Sequence, residues 1–308
     1  MTSCLGLDTS NYTTSAALYN ADNNTIVQRK RLLPVEEGKM GLRQSDAVFH
    51  HVRQLPDIIE GLRSETLDSI TCVAASEKPQ ETEGSYMPCF LVGMGAAREL
   101  AAILQVPYYG FTHQQGHVAA ALLGANRLDL LEKPFLAFHI SGGTTDALTV
   151  DPSSDTVITC RVAAHSSDLK AGQLIDRVGG MLGLPFPAGP ALEALAMQAQ
   201  KTYSPKMPVR DGCCSLSGVQ NQCKQMLDKG IPAAEIARYC LDAVQVAIEG
   251  MTEDLFRRFP GRSIVYAGGV MSNSILRQIF ESKFGGSFAP PAFSADNAAG
   301  IALLGSLR

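Results

Sequence analysis

Apolar positions alternate between short β-type runs and longer stretches at helical spacing, an order that predicts an α/β protein. Cys4-Leu-Gly-Leu-Asp8 and Ala16-Ala-Leu18 flank a small polar turn and read as strand, turn and strand. The pattern returns over residues 135–150, Phe-Leu-Ala-Phe-His-Ile-Ser-Gly-Gly-Thr-Thr-Asp-Ala-Leu-Thr-Val. Two such units read as halves of a duplication.

Between and after them the pattern predicts a helix over Leu42–Arg63, with Pro56 kinking it or dividing it in two. A strand over Ser69–Ser76, a helix over Phe90–Leu104 and a strand over Val106–Phe111 follow, and a helix opens at His113. Further on come a strand over Asp155–Ala164, a helix over Asp168–Leu182, the rigid turn Leu184–Pro190 and a helix through about Lys201. Helices over 219–228 and Ala233–Phe259, a strand over Ser263–Ala267 and a helix over Asn273–Phe284 precede a strand-like Phe288–Phe293 and a last helix.

The chain has 308 residues, 45% hydrophobic and 18% charged, enough for one large or two medium domains with a sizeable core. A net charge of −4 gives no global basic field, so contact with nucleic acid has to use a local patch such as Lys201, Lys206 and Arg210. No apolar run nears the roughly 18 residues of a membrane span and no basic leader is seen, so the expected location is the cytoplasm. Eight cysteines without a CxxC pair read as reduced, mostly buried thiols.

The chemistry gathers at turns and helix starts. Ser141, Gly142, Gly143, Thr144 and Thr145 have little side chain, so backbone N–H groups and hydroxyls can converge there on a phosphate. Asp8 and Ser10 occupy the matching place in the first hairpin. His113-Gln-Gln-Gly-His117 sets two imidazoles at i and i+4 on one helix face, suited to a divalent metal or present incidentally. Asp296 is either a helix cap or the carboxylate that completes a His, His, Asp set. Asp176 is either a cleft residue or a solvated helix carboxylate, and Gly189 lies on the turn that follows its helix. Gly268 and Gly269 stand at a strand-to-helix turn that would let a nucleotide's base and ribose approach the backbone.

Paired hairpins of this kind resemble those with which the actin, sugar kinase and Hsp70 superfamily grips nucleotide phosphates. Seven stretches then resemble the TsaD family in the family's own order: Leu5-Gly-Leu-Asp-Thr-Ser10, His113-Gln-Gln-Gly-His117, Ile140-Ser-Gly-Gly-Thr-Thr145, Ala171-Gly-Gln-Leu-Ile-Asp176 with Pro187-Ala-Gly-Pro190, Ser215-Leu-Ser-Gly218, Ala267-Gly-Gly-Val-Met-Ser-Asn273 and Asp296-Asn-Ala-Ala-Gly-Ile-Ala302. The resemblance implies an actin-like (ASKHA) fold with two lobes, residues 1–112 plus 290–308 and residues 113–289, around a nucleotide cleft. It implies transfer of a threonylcarbamoyl group from threonylcarbamoyl-AMP to N6 of the adenosine beside a tRNA anticodon, with no covalent enzyme intermediate.

On the same resemblance His113, His117 and Asp296 would hold one divalent ion, iron or zinc, and Ser141 to Thr145 would meet phosphate and carbamoyl. Asp176, Gly189, Gly269 and Asn273 would hold ribose and adenine. The implied partners are tRNA and TsaB-like and TsaE-like proteins, or a second copy of the chain through residues 42–62. The chain departs from the family where Thr144 replaces a usual histidine, Gln115 a usual glutamate and Asn11 a usual cysteine, and in Gly172-Gln-Leu-Ile-Asp176. These departures suggest a divergent paralogue. Transfer to a non-tRNA acceptor and a non-catalytic, nucleotide-binding partner protein are the competing readings; the retained His113, His117 and Asp296 argue against the second.

Overall fold

The computed structural model describes residues 3–10, 12–34, 42–62, 70–290, 293 and 298–308. They form two compact units, one of Met1–Lys133, Asp151–Cys160 and Ala292–Arg308, the other of Pro134–Val150 and Arg161–Pro291. The division drawn from the sequence falls at residue 113 instead, and so places the His113 helix differently.

In the first unit β1 (Ser3–Ser10), β2 (Thr13–Asn20) and β3 (Thr25–Leu32) form an antiparallel meander. Next to β1 run the parallel β4 (Ile70–Lys78) and β5 (Tyr108–Thr112), giving the order β3-β2-β1-β4-β5. Strand alternation assigns the two faces of this sheet. Leu5 and Leu7 of β1 pack with Leu55 and Ile58 of α1 (Gln44–Glu60) and with Ala97 and Ala101 of α2 (Phe90–Leu104).

Gly6 points the other way, where a Cβ would lie 2.5 Å from the Ala298 carbonyl and the Ala302 nitrogen of the last helix, α9 (Ala298–Ser306). That helix is buried from Ala298 to Gly305, which accounts for its all-round apolar sequence. It also crosses α3 (His113–Gly124), because Gly300 has no side chain to strike the Gly116 carbonyl.

The second sheet comprises β6 (Phe135–Ile140), β7 (Thr145–Ser153), β8 (Val157–Ser166), β9 (Cys213–Cys214), β10 (Ser263–Ala267) and β11 (Ser287–Phe288) in the order β11-β10-β6-β7-β8-β9. Setting β6 against β1 matches the sheets strand for strand: β7 to β2, β8 to β3, β10 to β4 and β11 to β5, with β9 extra. The core of the second unit lies among this sheet, α4 (Ala171–Met181), α5 (Gly189–Ala196), α6 (Ser217–Asp228), α7 (Ala233–Arg258) and α8 (Ser274–Phe284).

Three expectations are corrected. α1 is one helix through Pro56 rather than two; Pro56 and Val52 lie on its exposed side, where water can meet the carbonyl that loses its donor. α5 ends at Ala196 rather than near Lys201, and the following chain is held by α7, where Glu235 accepts from Gln200 N at 2.9 Å and Asp242 from Tyr203 N at 2.6 Å. Of the strand expected over Phe288–Phe293, residues 291 and 292 lie outside the described residues, and among those described the pairing with β10 is at Ser287 and Phe288. Proline, lacking a donor, does not extend the ladder. Among the described residues no helix is long and apolar enough to cross a membrane.

Candidate active site

In the first unit the candidate chemistry stands where β5 runs directly into α3. Thr112 caps the helix through a capping box, its hydroxyl accepting from Gln115 N at 3.1 Å while Gln115 Oε1 accepts from Thr112 N at 2.6 Å. The helix therefore starts with His113, and His117 follows one turn later. Their ring centroids are 4.6 Å apart with planes at 70°. Phe90 packs edge-on to His113 at 5.7 Å.

Asp8 reaches this pair from the sheet. Its carboxylate is 1% exposed and lies 3.1 Å from His113 Nδ1, and Ser76 donates to it from β4. Burial pushes the Asp8 carboxyl up, but His113, Ser76 and Ser10 together outweigh this and hold it below its ordinary value. An ionised Asp8 only accepts, so Nδ1 is the donor in this contact, and a neutral ring in that tautomer has its lone pair on Nε2. A carboxylate on one ring nitrogen with the other in lone-pair form is the arrangement of metal-bound imidazole.

Asp296, the expected third ligand, lies outside the described residues. Among the described residues no group of three His, Cys, Asp or Glu is placed to hold an ion. Two adjacent imidazoles with a carboxylate behind one of them are residue types found around divalent ions.

In the second unit Ser141 N donates to Thr144 O at 2.8 Å, closing the turn from β6 to β7. Gly142 and Gly143 are exposed there, and a Cβ on either would meet nothing within 4 Å. The N-terminus of α4 is seated against this turn. Ala171 N donates to Thr145 Oγ1 at 2.8 Å and Gly172 N to Ser141 O at 3.2 Å. Gly172 makes the approach possible, because a Cβ would stand 2.6 Å from Ser141 O and Gly142 N. Of the five residues expected to face an anion, Thr145 is buried and its hydroxyl serves α4, which leaves Ser141 to Thr144 at the open end.

Other expected residues have structural partners. Asp176 Oδ1 accepts from Ala188 N at 2.8 Å, which ties α4 to the turn before α5; Gly189 opens α5 with free space around its Cα. Gly268, at φ 97°, passes so close to Ile140 that a Cβ would strike its carbonyl, so this glycine serves the sheet. The neighbouring Gly269 has open space. Asn273 caps α8 by accepting from Leu276 N at 3.1 Å.

Two contributors carried no sequence signal. Glu193 accepts from Ser274 N at 2.8 Å and from the Ser274 hydroxyl, securing the start of α8. Asp168 accepts from Ser215 Oγ at 2.6 Å, Ser217 Oγ at 2.5 Å and Leu216 N at 2.8 Å, fixing the Ser215–Gly218 segment at the head of α6. Both depend on partners far along the chain.

Residues 36–303 match the sequence model of a family described as TsaD: tRNA N6-adenosine threonylcarbamoyltransferase. A tRNA N6-adenosine threonylcarbamoyltransferase of Thermus thermophilus is 31% identical over 312 residues, 97% of this chain and 90% of that protein. One of Campylobacter fetus subsp. fetus is 28% identical, covering 98% and 90%. Among solved structures, component A of the Acidaminococcus fermentans (R)-2-hydroxyglutaryl-CoA dehydratase aligns over 100% of this chain and 98% of its own, with a TM-score of 0.59 and 16% identity. Full-length HypF in its phosphate- and nucleotide-bound form aligns with a TM-score of 0.62 and 13% identity, over 99% of this chain and 54% of its own. A ROK hexokinase of Thermus thermophilus gives 0.51 and 17%, over 99% and 98%. The fold is thus that of the actin-like ATPases.

Proposed function

Because the chain belongs to the TsaD family of tRNA N6-adenosine threonylcarbamoyltransferases, we propose that it transfers a threonylcarbamoyl group from threonylcarbamoyl-AMP to N6 of the adenosine beside a tRNA anticodon. In this reaction N6 attacks the carbamoyl carbon. The N6–C bond forms, the bond from that carbon to the phosphate oxygen breaks, AMP leaves with the electron pair, and N6 gives up a proton to solvent.

His113 and His117, with Asp296, would hold a divalent ion, iron or zinc. Such an ion would supply Lewis-acid polarisation of the carbamate carbonyl. Asp8, 3.1 Å from His113 Nδ1, would hold the ring proton there and leave Nε2 for the ion. Ser141, Gly142, Gly143 and Thr144 would bind phosphate with backbone N–H groups and hydroxyls. Asp176 gives one carboxylate oxygen to Ala188 and keeps the second for ribose hydroxyls, beside Gly189, Gly269 and Asn273 for ribose and adenine.

The partner surface proposed is α1. Phe49 and Val52 are each 56% exposed on it. A TsaB-like protein or a second copy of the chain would cover them; a TsaE-like protein and tRNA complete the proposed set.

The observation that carries this reading is the His113–His117 pair backed by Asp8. The test is to incubate the metal-loaded protein with threonylcarbamoyl-AMP and unmodified tRNA, alone and with the partner proteins, and to analyse the digested tRNA by mass spectrometry. A threonylcarbamoyl adduct on adenosine that His113→Ala abolishes is the expected result. Bound metal and nucleotide without an adduct would point to another acceptor.

A further inference from the structure

Gln115 stands between the two histidines in sequence, and its side chain is 1% exposed. Its Oε1 accepts from Thr112 N at 2.6 Å while its Nε2 donates to the Ile158 carbonyl at 2.6 Å. A backbone N–H can only donate and a carbonyl can only accept, so these partners fix which end of the amide is oxygen and which is nitrogen. A carboxylate of the same shape would serve Thr112 equally well. Against Ile158 it would set oxygen on oxygen in a buried place.

The bond to Ile158 ties the first turn of α3 to the tip of the β7–β8 hairpin, both within the first unit. On α3 the next residue, Gly116, is crossed by α9. The turn that separates His113 from His117 is therefore clamped by Gln115 and by the passage of α9. A shift of α3 at this point would change the spacing or tilt of the two imidazoles.

Resting on the metal-dependent reading above, we propose that Gln115 is the positioning residue of the His113–His117 pair, and that the pair's geometry requires an amide able to donate to Ile158 while accepting from Thr112. The glutamine that departs from the family's usual glutamate is then matched to a carbonyl acceptor.

The test uses the full chain with cobalt(II) as probe, titrated by its d–d absorption, together with hydrogen exchange of the backbone over residues 112–117. Gln115→Glu keeps shape and loses the donor; Gln115→Met keeps length without charge and carries the same test if the first variant does not fold. Glu81→Ala is the control, since Glu81 accepts from Cys160 N at 2.9 Å and so holds β8 near the same hairpin tip, while the bond from Gln114 N to Pro79 O at 3.0 Å, made by main chain alone, is kept. Both Gln115 variants should weaken cobalt binding at least tenfold, alter its absorption bands and speed exchange over 112–117, whereas Glu81→Ala should leave cobalt binding unchanged. Wild-type affinity, spectrum and exchange in Gln115→Glu would overturn the proposal, as would equal loss of cobalt in Glu81→Ala. If the unaltered protein binds no cobalt, the metal reading itself fails; exchange over 112–117 then decides alone whether Gln115 positions the helix, faster exchange upholding it and unchanged exchange overturning it.

Discussion

Asp8 and His113 are 105 residues apart in sequence and joined by a contact of 3.1 Å between a buried carboxylate and an imidazole nitrogen. Asp8→Asn keeps the shape but removes the charge that fixes the His113 tautomer. Outer partners of this kind typically govern about 10–100-fold in metal affinity or activity. The expected outcome is a loss in that range, read as metal retained after dialysis against a metal buffer and as adduct formed on tRNA.

Gly172 allows α4 to rest on the Ser141–Thr144 turn. In Gly172→Ala the new methyl would meet Ser141 O and Gly142 N at 2.6 Å, so helix or turn has to move. Overpacking of this sort costs about 1–3 kcal/mol. Calorimetric titration with AMP is expected to show at least tenfold weaker binding, with a modest fall in Tm.

Much of the candidate chemistry in the first unit was legible in the sequence. His113 and His117 stand one turn apart on any helix, and Thr112 with Gln115 already has the capping-box spacing. That Asp8 backs His113 was not legible, since strand alternation puts Asp8 on a face without saying which helix covers it. The Ser141–Thr145 turn was visible from its small residues, whereas Thr145 belonging to α4, and Gly268 to the sheet, depend on close approaches made only in three dimensions. Pro56 does not divide α1, since it and Val52 face outward, where water can take the carbonyl that loses its donor. α5 ran short because acids on α7 capture the chain after it.

Asp168 is predicted to contribute pH-dependent stability. Burial raises its carboxyl, but hydrogen bonds from Ser215, Ser217, Leu216 and Leu169 overcome this and hold it far below the ordinary aspartate value. A depressed folded-state value means that the contribution is present above the unfolded value near 4 and is lost as pH falls through the folded one. Because the side chain is exposed, the effect of Asp168→Asn should be on the order of 1 kcal/mol. Urea unfolding should show that gap at pH 7 and a smaller one at pH 3.

On α1, neighbouring apolar residues should separate folding from association. Leu55 is 3% exposed and packs in the core, so Leu55→Asp should cost about 3 kcal/mol or more by burying a charge. Val52 is 56% exposed, so Val52→Asp should keep Tm within a few degrees. Sedimentation of Val52→Asp, alone and with a TsaB-like protein, should show weaker association. Unchanged association would remove α1 as the partner surface.

The glycines that let α9 lie against β1 and α3 also bear on the order of synthesis. Gly6 and Gly305 belong to segments at opposite ends of the numbered chain, and Gly305 packs against Cys4 of β1. On the ribosome β1 is translated before the entire second sheet, yet the helix that covers one of its faces is translated after it. Every residue of the second unit is translated before α9 is complete. Until α9 is made, the face of β1 that it covers has no partner from this helix, and a chaperone that shelters that face would act on a nearly full-length nascent chain.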